Sequence, residues 1–301
     1  MADLTTGLEV KQTERKDIRK VARGSRTGSQ SLTYLVLIIG AFLALIPFFW
    51  MISTSLMTLG ETINRKWLPA VPQFINYIQA WNEAKFARYF WNSVIITGVT
   101  LIGLLTTSIL AGYAFGRIKF KGRNAIFAIL LSTMMIPETI TWLPNLMLVR
   151  GTIIPLPGGS WLNSLQALAV PFMANAFSIF LLKQFFAQIP HELWDAAQID
   201  GANHFRFLTQ ICLPISKAPI MTVLLFGFIG SWNAFAWPLL VTTRETWRPL
   251  MVGLWTFVSE AGPETHLLMA GAVITLIPIL VIYFLTQKQF TQGIATTGLK
   301  G

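Results

Sequence analysis

Few side chains in these 301 residues are suited to covalent or metal chemistry. Cys212 is the single cysteine, which excludes a disulfide framework and any cysteine-cluster metal or iron–sulfur site. His191, His204 and His266 stand at no metal-ligand spacing to another ligand-type pair. No Gly-x-x-x-x-Gly-Lys-Ser/Thr run exists to cradle a nucleotide phosphate. No Ser/His/Asp or Cys/His nucleophile set is suggested, and the carboxylates are scattered. The chain is therefore expected to be no enzyme by itself and to hold no metal or cofactor. What remains is binding chemistry. In Gly230-Ser-Trp-Asn-Ala-Phe-Ala-Trp-Pro238, the Asn233 amide both donates and accepts hydrogen bonds. The indoles of Trp232 and Trp237 suit the C–H face of a sugar ring. Glu138, just after Pro137, is the one carboxylate inside a long apolar stretch. Interfacial anchoring competes for both tryptophans, and structural pairing competes for Glu138.

The elements that must carry these residues are membrane helices. Hydrophobic residues make up 53% of the chain and charged residues only 12%, about half the charge of a soluble domain. The net charge of +10 lies between apolar blocks, so it reads as an orientation signal and not as a nucleic-acid face. Six apolar runs are each long enough for the roughly 20 helical residues a bilayer needs. The first is Leu32 to Leu56, with a kink expected at Pro47, and the second is Tyr89 to Gly116. The third, Asn124 to about Leu148, is interrupted by Pro137, Glu138 and Pro144. The fourth run ends at Leu182, its helix starting near Leu162 after the Pro155–Gly159 turn; the fifth is Ala218 to Thr243 and the sixth Leu267 to Gln287. The expected fold is an all-α membrane protein with six transmembrane helices: a segment 1–30, a six-span domain 31–287 and a tail 288–301. Lys and Arg are concentrated before the first span and at Arg117, Lys119, Lys121 and Arg123, so both termini are expected in the cytoplasm. Gly227, Gly230, Gly253 and Gly271 are expected to allow close helix packing.

One connection is too regular for a loop. After Gln188-Ile-Pro190, Pro190 suits a first turn and Glu192 favours the positive helix end. Ile189, Leu193, Ala196 and Ala197 then share a face, and the small alanines allow close approach. Gly201 supplies a positive φ for a sharp turn. Phe205, Leu208 and Cys212 form a second stripe until Pro214 stops the run. The segment 188–216 is thus expected to be a hairpin of two short helices. Lipid headgroups are one possible bed for it, yet Glu192, Asp195 and Asp200 would be repelled by an anionic leaflet, which favours a protein partner.

Asp195-Ala-Ala-Gln-Ile-Asp-Gly-Ala202, followed by Ile211-Cys-Leu-Pro214, resembles the EAA loop of binding-protein-dependent ABC importer permeases. Phe185-Phe-Ala-Gln-Ile-Pro190 is similar to the carbohydrate-uptake, maltose-type branch; Asp195 stands where the family motif usually has Glu. The resemblance implies a type I importer permease whose hairpin is a coupling helix seated in a groove of a cytoplasmic ATPase. Glu192, Asp195, Ala196, Ala197, Asp200, Gly201, Ala202, Phe205, Leu208 and Pro214 would form that contact, with Phe205 and Leu208 as apolar anchors. The tail from Gln289 is also similar to the maltose-type tail between two ATPase subunits, which implies a strand-like peptide ending in Gly298, Leu299, Lys300 and Gly301.

The implied machine contains a second permease, expected to be a different chain, and two ATPase subunits that use ATP and Mg. It also contains a periplasmic or extracellular sugar-binding protein, received on outer connections such as Met57 to Arg88 and Arg244 to Thr265. The implied function is import of a sugar or oligosaccharide across the cell membrane of a prokaryote. The alternatives are a permease for a polyol or glycerol phosphate and, in another class, a self-sufficient secondary transporter. The latter should show paired intramembrane ionisable groups or an inverted repeat, and neither is evident.

Overall fold

A computed structural model describes residues 32–259 and 262–297; the segment 1–30 and the tail residues Gly298, Leu299, Lys300 and Gly301 lie outside them. Helix α1 (Leu32–Ser55) stands apart from the rest of the chain over its apolar length. Exposed Leu, Ile and Phe side chains on every side of such a helix demand lipid or another apolar chain around it. Its last turn is different: Ser53, Thr54 and Ser55 are buried.

That turn is tied to the outer connection. Thr58 and Glu61 form a capping box at the start of α2 (Leu59–Ile63). The Glu61 carboxylate accepts from the Thr58 N–H at 3.0 Å and from the Ala70 N–H at 2.8 Å. These backbone donors, Thr58 first, pull its pKa down to about 2. On α3 (Ile75–Glu83), Asn76 donates to the Ser55 and Met57 carbonyls, and Tyr77 shares a 2.7 Å hydrogen bond with Ser55. Lys85 and Glu245 pair at 2.7 Å, joining the two outer connections.

Helix α4 (Phe86–Arg117) is the central post, packed on several of the later helices. Its C-terminal end carries Gly112 and Gly116, four residues apart. A Cβ on Gly112 would stand 3.1 Å from the Lys183 backbone nitrogen, and one on Gly116 would stand 3.2 Å from the Lys183 carbonyl oxygen. The helices meet backbone to backbone there, as small-residue pairs in membranes allow.

The third span breaks where Pro137 implied. Helix α5 (Arg123–Ser132) ends in a 3₁₀ turn, and α6 (Glu138–Val149) leaves it at 104°. The fourth span is also broken. Helix α7 (Leu165–Ala169) begins at Leu165, capped by Ser164, and not near Leu162. After a 41° bend, α8 (Ala176–Gln188) starts on an Asn175 cap and reaches beyond the expected Leu182.

The hairpin follows as α9 (His191–Ile199) and α10 (His204–Phe207), then a π-helical turn at Leu208–Cys212 and α11 (Leu213–Ile215). Pro214 does not stop the run at once, because it sits in the first turn of α11, where an N–H has no helical partner in any case. An 82° bend leads into α12 (Lys217–Trp232). The fifth span was expected to be continuous to Thr243, but it unwinds at residues 233–235 and resumes as α13 (Ala236–Val241). Pro238 is the cause: it cannot donate to Ala234 and its ring would clash there, so it sits in the first turn of a new helix.

The next connection folds back into the bundle. Helix α14 (Leu250–Leu254) buries Leu250 and Val252, and the Leu250 N–H donates to the Ser93 hydroxyl at 2.8 Å. A short antiparallel ribbon, β1 (Val258–Ser259) with β2 (Gly262–Pro263), precedes α15 (Thr265–Thr297). The backbone remains helical to Thr297, where an extended tail was expected from Gln289. By length and apolar composition, α1, α4 and the first part of α15 are unbroken spans, and the count rises to as many as six if each of three bent pairs (α5 with α6, α7 with α8, and the α10–α11 segment with α12) is one span.

Candidate functional site

Two sites emerge at opposite parts of the bundle. The first is the hairpin. Helix α9 closes in a two-bond glycine cap, with the Gly201 N–H on the Gln198 carbonyl at 3.0 Å and the Ala202 N–H on the Ala197 carbonyl at 2.8 Å. Gly201 has φ +75°, a conformation other residues adopt only with strain. Asn203 immediately caps α10 by accepting from the Arg206 N–H. The turn is therefore short and fixed.

The inner face of the hairpin is locked to the bundle. Trp194 stacks on His204 with ring centroids 4.3 Å apart, and Phe207 meets the Trp194 ring edge-on. Tyr113 of α4 shares a 2.9 Å hydrogen bond with His204. Arg117, at the last turn of α4, donates to the Ile189 carbonyl at 2.6 Å and lies over the Phe207 ring. The Pro190 carbonyl is at the edge of hydrogen-bond range, 3.5 Å away. These contacts tie α9 and α10 to the central helix.

The outer face is apolar. Leu193, Ala196, Ile199 (87% exposed) and Phe205 (68% exposed) point away from the bundle, flanked by Glu192, Asp195 and Asp200. Sequence periodicity had grouped Ala196 with Ala197 and Phe205 with Leu208. The structure separates each pair: Ala197 and Leu208 are buried, while Ala196 and Phe205 are presented outward. Phe205 is thus free for the partner contact implied for it, whereas Leu208 is packed inside with Phe207, which lies on the opposite face of α10 from Phe205. Pro214 is exposed, and Ala202 is half-buried against the hairpin's own core.

The second site is a cavity of about 600 Å³ among α4, α6, α8 and α12, a size in the ordinary range for small-molecule sites. Glu138, Trp142, Asn175, Ser231, Asn233 and Trp237 lie on its wall. Glu138 occupies the first turn of α6, exposed to the cavity, and no ion pair reaches it among the described residues. Asn233 caps α12 where the fifth span unwinds. Trp237 is on the wall, but its N–H is spent on the Ala167 carbonyl at 2.9 Å, so only its ring is available. Trp232 is a correction: it is 2% exposed, donates to the Thr275 carbonyl, stacks on Phe228 and does not line the cavity. Gly230 is another. A Cβ there meets nothing, so it faces the cavity, whereas Gly227, Gly253 and Gly271 abut neighbouring side chains as expected. Thr100 and Trp142, which the sequence did not single out, also line the cavity, with the Thr100 hydroxyl and the Trp142 indole N–H turned away from it and without partners among the described residues.

Known proteins share both sequence and shape. The chain is 29% identical to the sn-glycerol-3-phosphate transport system permease protein of Yersinia enterocolitica, over 90% of this chain and 97% of that one. It is 30% identical to a lactose transport system permease protein of Rhizobium radiobacter, covering 86% and 93% respectively. It is 28% identical to a diacetylchitobiose uptake system permease protein of Streptomyces coelicolor, covering 92% of both. The crystal structure of a bacterial ABC transporter involved in the import of the acidic polysaccharide alginate superposes with a TM-score of 0.73 at 24% identity, over 86% of this chain and 95% of that one. Residues 108–296, which include the hairpin, α12 and most of α15, match the family of binding-protein-dependent transport system inner membrane components, and the chain belongs to that family.

Proposed function

We propose that this chain is the permease subunit of an ATP-driven importer for a sugar or oligosaccharide, delivered by a periplasmic or extracellular binding protein. The observation that carries it is the hairpin: a short, fixed turn, bonded to the central helix on one face and offering Leu193, Ala196, Ile199 and Phe205 on the other. A surface of this kind suits a protein groove. The uncompensated Glu192, Asp195 and Asp200 disfavour an anionic leaflet and favour a partner with basic residues at the rim. Two cytoplasmic ATPase subunits, using ATP and Mg, would move the hairpin as they close. The tail residues Gly298, Leu299, Lys300 and Gly301 would add to that contact.

The exposed α1 and the one-sided cavity call for a second permease, a related but different chain, with lipid around both. The chain itself hydrolyses nothing, and both termini lie in the cytoplasm. Relatives named for lactose and for diacetylchitobiose support the sugar reading, and the Yersinia relative keeps glycerol phosphate as the second reading. The test is affinity purification of the tagged full chain from its own membranes. An ATPase and a second permease should co-purify. Gly201→Pro should insert normally yet lose ATP-driven uptake; uptake at the unmutated rate would overturn the coupling role.

A further inference from the structure

The cavity wall carries one sign of charge. Among its described lining residues Glu138 is ionisable and no Lys, Arg or His is present. Asn175 and Asn233 are exposed on the same wall and offer amide groups to a hydroxyl-bearing ligand. A positive helix end is close by, at the start of α6, but Glu138 stands in its first turn and compensates it. A phosphate or carboxylate in this space would therefore meet a carboxylate and no counter-charge.

We propose that Glu138 is a charge filter, making the cavity selective for neutral or cationic polyhydroxy solutes and against phosphate esters and uronates. Asn175 and Asn233 supply hydrogen bonds to the solute. The proposal rests on reading this cavity as part of the solute pathway. It predicts that phosphorylated and acidic solutes are excluded, and it names the residue responsible.

Gly230 provides the probe position, since a side chain added there meets no neighbouring atom within 4 Å. The Gly230→Cys variant of the full transporter, in membranes, is treated with three thiol reagents: methyl methanethiosulfonate, its trimethylammonium-ethyl analogue and its sulfonato-ethyl analogue. The neutral reagent should label the thiol. The cationic reagent should outpace the anionic one by about tenfold beyond their intrinsic ratio, the lower end of what a cleft lined by one charge sign produces. Glu138→Gln should abolish that excess, and Glu138→Asp should retain most of it. An intrinsic ratio with Glu138 present, or an excess that survives Glu138→Gln, overturns the filter and leaves the pathway reading intact. Failure of the neutral reagent to label overturns both, because the cavity would then be closed to solutes.

Discussion

If the hairpin transmits force, the attachment between it and the bundle has to be stiff, and Arg117 is the residue to remove. Its guanidinium donates to the Ile189 carbonyl at 2.6 Å, a charged hydrogen bond of the kind that contributes about 1.5–3 kcal/mol. The contact to Pro190 at 3.5 Å is too long to add much. The placement 5.6 Å from the Phe207 ring centre adds about 0.5–1 kcal/mol. Arg117→Ala should thus weaken docking of α9 by about 2 kcal/mol or more, which is roughly a thirty-fold rise in the undocked population. Amide hydrogen exchange over Leu193–Ala197 reports this directly, since exchange from a locally opened state scales with its population. Exchange there should accelerate by that factor while the middle of α4 stays protected. In the assembled transporter, solute moved per ATP should fall further than ATP hydrolysis itself. Arg117→Lys should be intermediate, keeping the charge but losing the planar contact with Phe207. Unchanged exchange in Arg117→Ala would mean that the stacked Trp194, His204 and Phe207 rings hold the hairpin alone, and the latch argument would be wrong.

Gly116→Val forces a branched side chain against the Lys183 carbonyl and should destabilise the α4–α8 contact by about 1–3 kcal/mol, seen as a lower melting temperature of the purified chain; Gly230→Ala should not lower it. Trp232→Phe loses the hydrogen bond to Thr275 and should cost about 1 kcal/mol in stability with uptake kinetics unchanged, while Asn233→Ala should do the reverse. Glu61 has a folded pKa of about 2, below its unfolded value near 4.5, so its contribution is complete above the unfolded value and is lost as pH falls towards 2. Proteolysis of the Met57–Pro72 segment should therefore quicken below pH 4.5 in the unmutated chain, and Glu61→Gln should flatten that dependence.

The spans, the Pro137 break and the hairpin were legible because each has a local cause: an apolar run, a missing N–H, a glycine with positive φ. Less legible were features set by tertiary packing. Ala196 and Ala197 are adjacent, and the contacts that dock α9 on the bundle, among them the Trp194–His204 stack and the Arg117 bond to Ile189, decide which of them faces inward. Leu208 was grouped with Phe205 at a spacing of three, but the chain passes from α10 into a π turn at Leu208, where a constant 3.6-residue period no longer holds, and no residue type announces such a turn. Trp232 and Trp237 look alike in sequence. The bond from Trp232 to Thr275, on a helix 43 residues away, turns it out of the cavity. The return of α14 into the bundle had a signal in Pro249-Leu-Met-Val-Gly-Leu254, an apolar run too short to span and too apolar for an outer loop.

The three breaks in the spans share one consequence. Unwound backbone in a bilayer leaves N–H and C=O groups without partners, and lipid cannot supply them. Such breaks persist where they face water or protein, so where they fall marks the wet interior of the bundle. Glu138 follows the first break, Ala174 and Asn175 lie in the second, and Asn233, Ala234 and Phe235 form the third; all six border the same cavity. Pro137, Pro171 and Pro238 stand at or beside these breaks, each forbidding the continuous helix that lipid would otherwise enforce. The prolines at these three breaks therefore help to open the cavity; on the proposal that it carries the solute, their positions select the side chains that meet it. Pro238→Ala tests this most directly. It restores the N–H that a continuous fifth helix needs, so it should extend α12 through Asn233, raise thermal stability and slow uptake; a more stable chain with undiminished uptake would break the link between the unwound segment and passage of the solute.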